Sequence, residues 1–457
     1  MNARIISKLE KHIEGSIQTG QEAGQKLRTG LWNGIDEIND AISVRCTGIA
    51  DLQNAVRIAA EYEVPVSVLG GGHDWCRRSV SKEGITLDLR EMRQVSVSRR
   101  DSLLTAAGGA LVKNAIDVLP EGFGLVTGVH TQVGLSGLAL SGGYGKLNSR
   151  FGLVTDNIKK ATVVLADGSL VTASGHENPD LFWALKGAGK NFGVLASADF
   201  AIHRLSRVLT ATVFIESGCA LKGFLTLQEI LDEAGDSMSI FSTFSALPGK
   251  GMGLILEPLW TGNKAAGEEY IRRLSSLPGA TLIDKSWSEY RDTYDSESDG
   301  SSWPKGRGYR MDAFNLNRLD EETSRAVIEC CMHMPSEQNC IMLHDFHGRA
   351  ACIASDEAAF SHRRNHFNMQ IVTSWQTEEH KKDGNKWVSQ IQHIIEPFSD
   401  YGSYPAVLGP EGHKRARKFY GESLNKLQEV KKRFDPDNRF NAPYGIFERQ
   451  CFTEDKA

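Results

Sequence analysis

The sequence predicts an α+β fold: a glycine-rich segment of short strands and helices, then an antiparallel sheet covered by helices on one face. Three observations carry this. The chain has 457 residues, too many for one ordinary core, so at least two domains are expected. Up to about residue 205, short apolar runs alternate with helical periodicity, and a long glycine-rich passage covers 122–152. From 206 onward the apolar strands are longer and amphipathic helices separate them, the pattern of a sheet with helices segregated to one side.

The elements follow in order. In residues 1–30, Ile5, Leu9, Ile13 and Ile17 recur every four residues and predict one amphipathic surface helix. A strand at 41–45 precedes a helix over 48–63, with Thr47 as N-cap and Leu52, Val56 and Ala59 on one face. Residues 64–67 read as a buried strand running into Val68-Leu69-Gly70-Gly71-Gly72-His73-Asp74-Trp75. Strands follow at 85–89, 95–97 and 103–109. The turn Ala166-Asp167-Gly168-Ser169 joins 161–165 and 170–172 into a hairpin. The stretch 178–200 is turn-rich and then β. Beyond it come a strand at 209–214, a helix at 221–235, and strands at 253–257, 340–346 and 368–375. Residues 401–408 are expected to close that sheet. A charged amphipathic helix over 414–433 ends at Asp435-Pro436-Asp437-Asn438.

Composition excludes several classes of function. The 57 acidic and 52 basic residues leave a net charge of −5, so a nucleic-acid partner is not expected. No run of about 18 apolar residues is present, so no membrane partner or span is expected. The first residues hold no apolar stretch of signal-peptide length. The eight cysteines then read as free thiols in a reducing, cytoplasmic setting. Cys330, Cys331, Cys340 and His333 fit no zinc spacing, and thiols buried on a helix are the better reading, so no metal is expected.

Two passages carry chemistry. Gly70, Gly71 and Gly72 allow positive φ and close backbone approach to a ligand. Their free N–H groups suit an anion, with His73 at the end of the turn. Residues 126–145 hold six glycines among small and hydroxyl side chains, and present backbone donors to a phosphate or a flat ring. The second passage lacks the strand–turn–helix frame of a Walker loop or a dinucleotide fingerprint.

These passages occur in order with Gly142-Gly143-Tyr144-Gly145 running into 150–157, then Asn178-Pro179-Asp180-Leu181-Phe182-Trp183 running to Gly193-Val194, and Asp435-Pro436-Asp437-Asn438-Arg439-Phe440. From Trp32 to Ile446 the chain resembles the FAD-linked oxidoreductases of the vanillyl-alcohol-oxidase and berberine-bridge-enzyme type. The resemblance implies a two-subdomain PCMH-type FAD domain over 1–205 and 410–457 around a substrate domain over 206–409. It implies FAD bonded covalently to His73, flanked by Leu69 and Asp74. Thr127, Gly128, Val133, Gly134, Ser136 and Gly137 would cradle the cofactor, with Gly142, Gly143, Tyr144, Gly145 and Leu147, and with Gly193, Val194 and Tyr444. Many members carry a second flavin bond from a cysteine. Here His130 stands at that position with no cysteine near, so a single bond is expected.

The resemblance places Val133 over the flavin face that meets O2, where valine accompanies oxidase behaviour. A flavin oxidase is therefore expected, taking hydride from a small amine or alcohol and passing the electrons to O2 to give H2O2. A dehydrogenase or oxidative cyclase of the same family, and a flavoprotein without turnover, are the alternatives. Candidates for the substrate side are Tyr309, Arg310, His344, His347 and Trp375, with Tyr309, Tyr444 or a pocket histidine such as His344 as base. On one strand His344 and Phe346 face one side and Asp345 and His347 the other, so only one histidine is expected to face the cofactor. The tail departs from the family's asparagine-rich pattern, with Tyr404-Pro405-Ala406 and Pro443-Tyr444-Gly445-Ile446. The chain alone leaves monomer and homodimer both open.

Overall fold

The computed structural model describes residues 2–34, 38, 41–81, 83–294, 304, 306–399, 402–409 and 412–441. Three sheets organise the chain. The first holds β1 (Ser16–Thr19), β2 (Ala41–Arg45), β3 (Val66–Leu69) and β4 (Ile85–Asp88) in the order β1-β2-β4-β3. β2, β4 and β3 run parallel, and β1 pairs antiparallel with β2. The helix Ile49–Glu61 crosses between β2 and β3 and buries Leu52, Val56 and Ala59. The second sheet is antiparallel, with β5 (Val95–Ser98), β6 (Leu103–Ala107), β7 (Phe123–Leu125), β8 (Ile158–Val164), β9 (Leu170–Ser174) and β10 (Val194–Arg204). Its order is β5-β6-β10-β8-β9, with β7 also on β10.

The third sheet contains β11 (Val208–Glu216), β12 (Met238–Leu247), β13 (Gly251–Trp260), β14 (Ala280–Ser288), β15 (Gly308–Leu316), β16 (Cys340–Phe346) and β17 (His366–Trp375), in the order β14-β11-β13-β12-β16-β17-β15. Every pair is antiparallel. Alternation assigns its two faces. Ile341, Leu343, Met369, Ile371 and Phe314 pack into one core with the helices Ala220–Ala234, Glu321–Met332 and Glu378–Ile395. Their neighbours Met342, His344, Gln370, Val372 and Met311 face the other way, toward the first two sheets. This is the α+β architecture expected, with helices on one face of the antiparallel sheet.

Several local expectations need correction. Residues 1–30 form the helix Asn2–His12, then β1, then the helix Gly20–Arg28. Ile5 and Leu9 are buried, but Ile17 lies on a strand paired with Val44, because the four-residue recurrence continues by coincidence across Gly15. Thr47 is not the N-cap. Gly48 is, and the Thr47 N–H and hydroxyl both donate to Asp51, one turn inside the helix. Part of 178–200 is the helix Pro179–Ala188, hidden in the sequence by a break at Lys186 and Gly187.

Residues 402–409 are not a strand of the sheet, whose edges are β14 and β15. Pro405 has no N–H to give a ladder, and this loop is held by side chains instead. Arg78 donates to the Ala406 and Leu408 carbonyls and Trp75 to that of Val407. The predicted terminal helix is two, His413–Tyr420 and Ser423–Phe434, broken at Gly421 with φ +48°. Behind the second, the buried Lys431 ammonium bonds Asp435, Asn191 O and Phe440 O at 2.7, 2.6 and 3.0 Å. Arg439 O then accepts from Val66 N, fixing the chain end against β3, just ahead of the glycine turn.

Candidate active site

The two glycine passages meet face to face. A Cβ on Gly71 would lie 2.2 Å from Gly134 N, and one on Gly134 would lie 2.6 Å from Gly71 N. Only glycine at both positions permits this backbone-on-backbone contact. Gly72 adopts φ +73°, and its carbonyl accepts from Trp32 N at 2.9 Å. The Val133 carbonyl accepts from Val112 N, and Leu135 N donates to Ala110 O, so the second passage is anchored to the chain before the helix Val112–Asp117. Gly70 and Gly137 are not crowded in this way, and a Cβ on either would meet nothing closer than 3.6 and 3.9 Å.

Together they form one wall of a cavity of about 340 Å³. His73 sits at the end of the turn, its ring stacked parallel to Trp32 at 6.0 Å and 5.9 Å from the ring of His130. Asp74 is paired with Arg78 at 2.9 Å. Lys190 also reaches this wall. Burial pushes its ammonium down to about 8, against the Asp74 charge that favours it. The Ser79 hydroxyl lines the cavity, buried and with no partner among the described residues. An open backbone cradle, a buried cation and an orphaned hydroxyl on one wall fit the phosphates and polyol of a dinucleotide.

The opposite wall is the free face of the third sheet: Phe241, Met311, Met342, His344, Gln370 and Val372. His344 lies against Phe241 at 4.5 Å and Tyr144 at 5.8 Å. Burial pushes its imidazole down to about 4, despite the Asp345 charge, so it is neutral near pH 7. Tyr144 is buried under a ring cluster with Phe346, Phe360 and Tyr404. Its hydroxyl bonds His366 Nε2 at 2.9 Å, and burial drives its pKa well above the ordinary phenol value.

The structure sorts the expected residues. Gly70, Gly71, Gly72, His73, Asp74, Gly128, His130, Val133, Gly134, Ser136, Gly137, Tyr144, Gly193 and His344 all line the cavity. Leu69, Thr127, Leu147 and Val194 do not. All four are fully buried, behind the wall they support. Gly142, Gly143 and Gly145 are one layer back as well. Gly142 lies under Phe360, Gly143 N donates to the Tyr404 hydroxyl, and a Cβ on Gly145 would lie 1.8 Å from Thr127 O. Tyr309 is also displaced. It stacks on Trp32 at 4.1 Å, its hydroxyl donates to Pro304 O at 2.7 Å, and burial raises its pKa. It does not line the cavity. Arg310 bonds Asn385 on the helix side, and Trp375 packs on Gly308. His347 pairs with Asp345 at 3.1 Å on the far side of β16, so one histidine of the pair faces the cavity, as alternation required. Tyr444 lies outside the described residues.

Sequence reasoning missed Trp75, Arg78, Lys190 and Gln370. Trp75 and Lys190 stood inside passages already singled out, where a bulky or charged residue among glycines was the available signal. Gln370 had none beyond its parity on a strand. Among the described residues, no helix is long and apolar enough to cross a membrane. Cys330 and Cys331 are buried on the helix Glu321–Met332.

Comparison with known proteins agrees with the geometry. Residues 41–174 match the FAD binding domain family, and residues 397–447 match the berberine and berberine-like family. The chain is 33% identical to (R)-6-hydroxynicotine oxidase of Paenarthrobacter nicotinovorans over 240 residues, spanning about half (52%) of each chain. It is 28% identical to FAD-linked oxidoreductase aurO of Gibberella zeae over 91% of this chain and 82% of that one. The crystal structure of 6-hydroxy-D-nicotine oxidase from Arthrobacter nicotinovorans has the same fold, with a TM-score of 0.83 at 22% identity over 95% of this chain and 98% of the other. The family matches fall on the cradle wall and on the loop that closes it. This chain is an FAD-dependent oxidoreductase that carries an FAD binding domain over 41–174 and a berberine-like domain over 397–447.

Proposed function

We propose that the protein is an oxidase that holds FAD covalently through His73 and oxidises a small amine- or alcohol-type substrate at a C–H next to nitrogen or oxygen. The observation that carries this reading is the shared cavity. The glycine cradle with His73 forms one side and the side-chain face of β15, β16 and β17 the other. FAD held there would supply the two-electron redox chemistry between substrate and O2. The chain's own residues bind and orient. The cradle over 70–74 and 128–137, with Ser79 and Lys190, holds the dinucleotide. Val133 lies on the cavity wall and, small and apolar, leaves room for O2. We assign the cofactor side to residues 1–205 and 410–457, and the substrate side to 206–409.

The sheet wall favours amines over alcohols. Alcohol oxidation needs a base for the hydroxyl proton. His344 is held near 4 and Tyr144 far above neutrality, so no described side chain on that wall is a strong base near pH 7. A neutral amine needs none.

Acid precipitation tests the cofactor assignment. Wild-type protein should keep its yellow colour in the pellet, and His73→Ala should release flavin to the supernatant. Release of all flavin from the wild type overturns the covalent bond. A screen of amines and alcohols should give peroxide in step with oxygen consumed. Turnover with artificial acceptors but without peroxide would make the protein a dehydrogenase.

A further inference from the structure

Two consecutive residues, Trp32 and Asn33, join the two walls of the cavity. Trp32 N donates to the Gly72 carbonyl at 2.9 Å, and its indole lies parallel to the His73 ring at 6.0 Å. The same indole stacks on Tyr309 at 4.1 Å. Asn33 makes the second link. Its Nδ2 donates to the Trp75 carbonyl at 2.7 Å and to the Tyr309 carbonyl at 2.8 Å, and its Oδ1 accepts from Tyr309 N at 3.2 Å. One end of this pair holds the turn that carries His73. The other holds β15, an edge strand of the third sheet, 276 residues away in the chain.

The partners of Asn33 settle the direction of its amide. Two carbonyls can only accept and a backbone N–H can only donate, so Nδ2 commits both hydrogens and Oδ1 takes the remaining bond. A flipped amide would set oxygen against two carbonyls. Tyr309 meets Asn33 as it would meet a neighbouring strand, with the N–H and C=O of one residue turned the same way. Its ladder partner Ser374 lies on the other side, on β17. A single side chain thus caps the free edge of β15 at Tyr309 and ties it to residue 75.

Where these bonds fall gives them leverage. Met311, two residues beyond Tyr309 and on the same face of β15, lines the cavity, and so does His73, two residues before Trp75. Asn33 itself does not line it. We propose that Trp32 and Asn33 form a spacer that sets the width of the cavity, and with it the distance a hydride crosses from substrate on the sheet wall to cofactor on the cradle wall. Asn33 is a positioning residue that acts through Trp75 and Tyr309. The proposal rests on the oxidase reading, in which His73 holds flavin and the third sheet holds substrate. Reacting atoms must lie about 3–3.5 Å apart, and an error of about 1 Å costs roughly a hundredfold in rate. The spacer should therefore act on rate far more than on affinity.

Asn33→Asp keeps the shape of the side chain and removes both donated bonds, and Tyr309→Leu removes the stack from the other end. Flavin-loaded protein is mixed without oxygen with the best substrate of the amine and alcohol screen, and bleaching of the flavin absorbance is followed against concentration. Per bound flavin, each variant should be reduced about ten- to a hundredfold more slowly at saturation, with the dissociation constant within about threefold and reoxidation by O2 unchanged. Tyr309→Phe, which keeps the ring, should restore most of the rate. Hydrogen exchange needs no turnover: in Asn33→Asp, peptides covering 72–76 and 308–312 should both exchange faster than in the wild type. A purely structural role would lower the melting temperature and flavin content and leave the rate per bound flavin unmoved. A folded variant of either kind that is reduced at the wild-type rate, or a loss confined to affinity, would overturn the proposal. Should Asn33→Asp fail to fold, Tyr309→Leu decides alone. A wild-type flavin that no substrate bleaches marks failure of the oxidase reading instead.

Discussion

The two walls of the cavity are built on opposite principles. The cradle wall is mostly backbone: glycines that touch other backbone, and carbonyls and N–H groups tied into neighbouring segments. The sheet wall is side chains on a regular ladder, where identity at each alternate position can change without moving the main chain. A glycine at a backbone contact has no substitute, whereas Met342 or Val372 has several. The difference teaches where variation is tolerated. Cofactor binding is built into main-chain geometry, and substrate choice into replaceable side chains.

That contrast can be broken by mutation. The largest effect is expected for Gly71→Ala, where the new methyl would lie 2.2 Å from Gly134 N. Backbone on both sides cannot yield cheaply, and a loss of about 3 kcal/mol is expected together with most of the bound flavin. Flavin-to-protein absorbance and the melting temperature check both. A variant with full flavin would show that the two passages can separate without harm.

Met342→Ala probes the other wall. It faces the cavity and is half-buried, so flavin content and melting temperature should stay near wild type. The KM for the best substrate from the amine and alcohol screen should rise roughly three- to tenfold, from the lost apolar contact. If Met342→Ala strips flavin as Gly71→Ala does, the division between walls is wrong.

The smallest expected effect is a pH dependence that belongs to the sheet side more than the cradle. Burial holds His344, His203 and His362 each near 4. Unfolded histidine titrates near 6.5, so as pH falls below that value the unfolded chain binds protons the folded chain refuses. Stability is therefore lost as pH falls from about 6.5 toward 4. His347 acts in the opposite sense. Burial lowers its pKa, but the hydrogen bond and charge of Asp345 outweigh this and raise it. Its contribution is present below about 6.5 and lost as pH rises through its folded value. Burial pushes His366 well below its ordinary value too, so four oppose one and the melting temperature should drop by roughly 5 °C between pH 7 and pH 5. His344→Gln should flatten part of that drop, and an unchanged slope would remove His344 from the account.

Much of the cradle wall is legible in the sequence, because its chemistry is local. Three consecutive glycines ending in His73, and a second run ending in Gly142-Gly143-Tyr144-Gly145, declare tight backbone wherever they fall. The sheet wall is only half legible. Parity on β16 gives His344 to one side and His347 to the other, yet it cannot say which side is the cavity. Tyr309 looks like a phenol poised for chemistry, and stacking on Trp32 takes it away. The loop over 402–409 looks like a strand, but Pro405 denies it a ladder and Trp75 and Arg78 claim its carbonyls.

The sequence by itself determined the two glycine passages, most of the strands and, through their resemblance to a family, the cofactor they serve, since each depends on residues near one another in the chain. Only the tertiary structure decided that Gly71 lies on Gly134 and that Met342, His344 and Gln370 share the cavity-facing side of the third sheet. Those relations join segments tens to hundreds of residues apart, and strand register and face, which no local pattern encodes, bring them together.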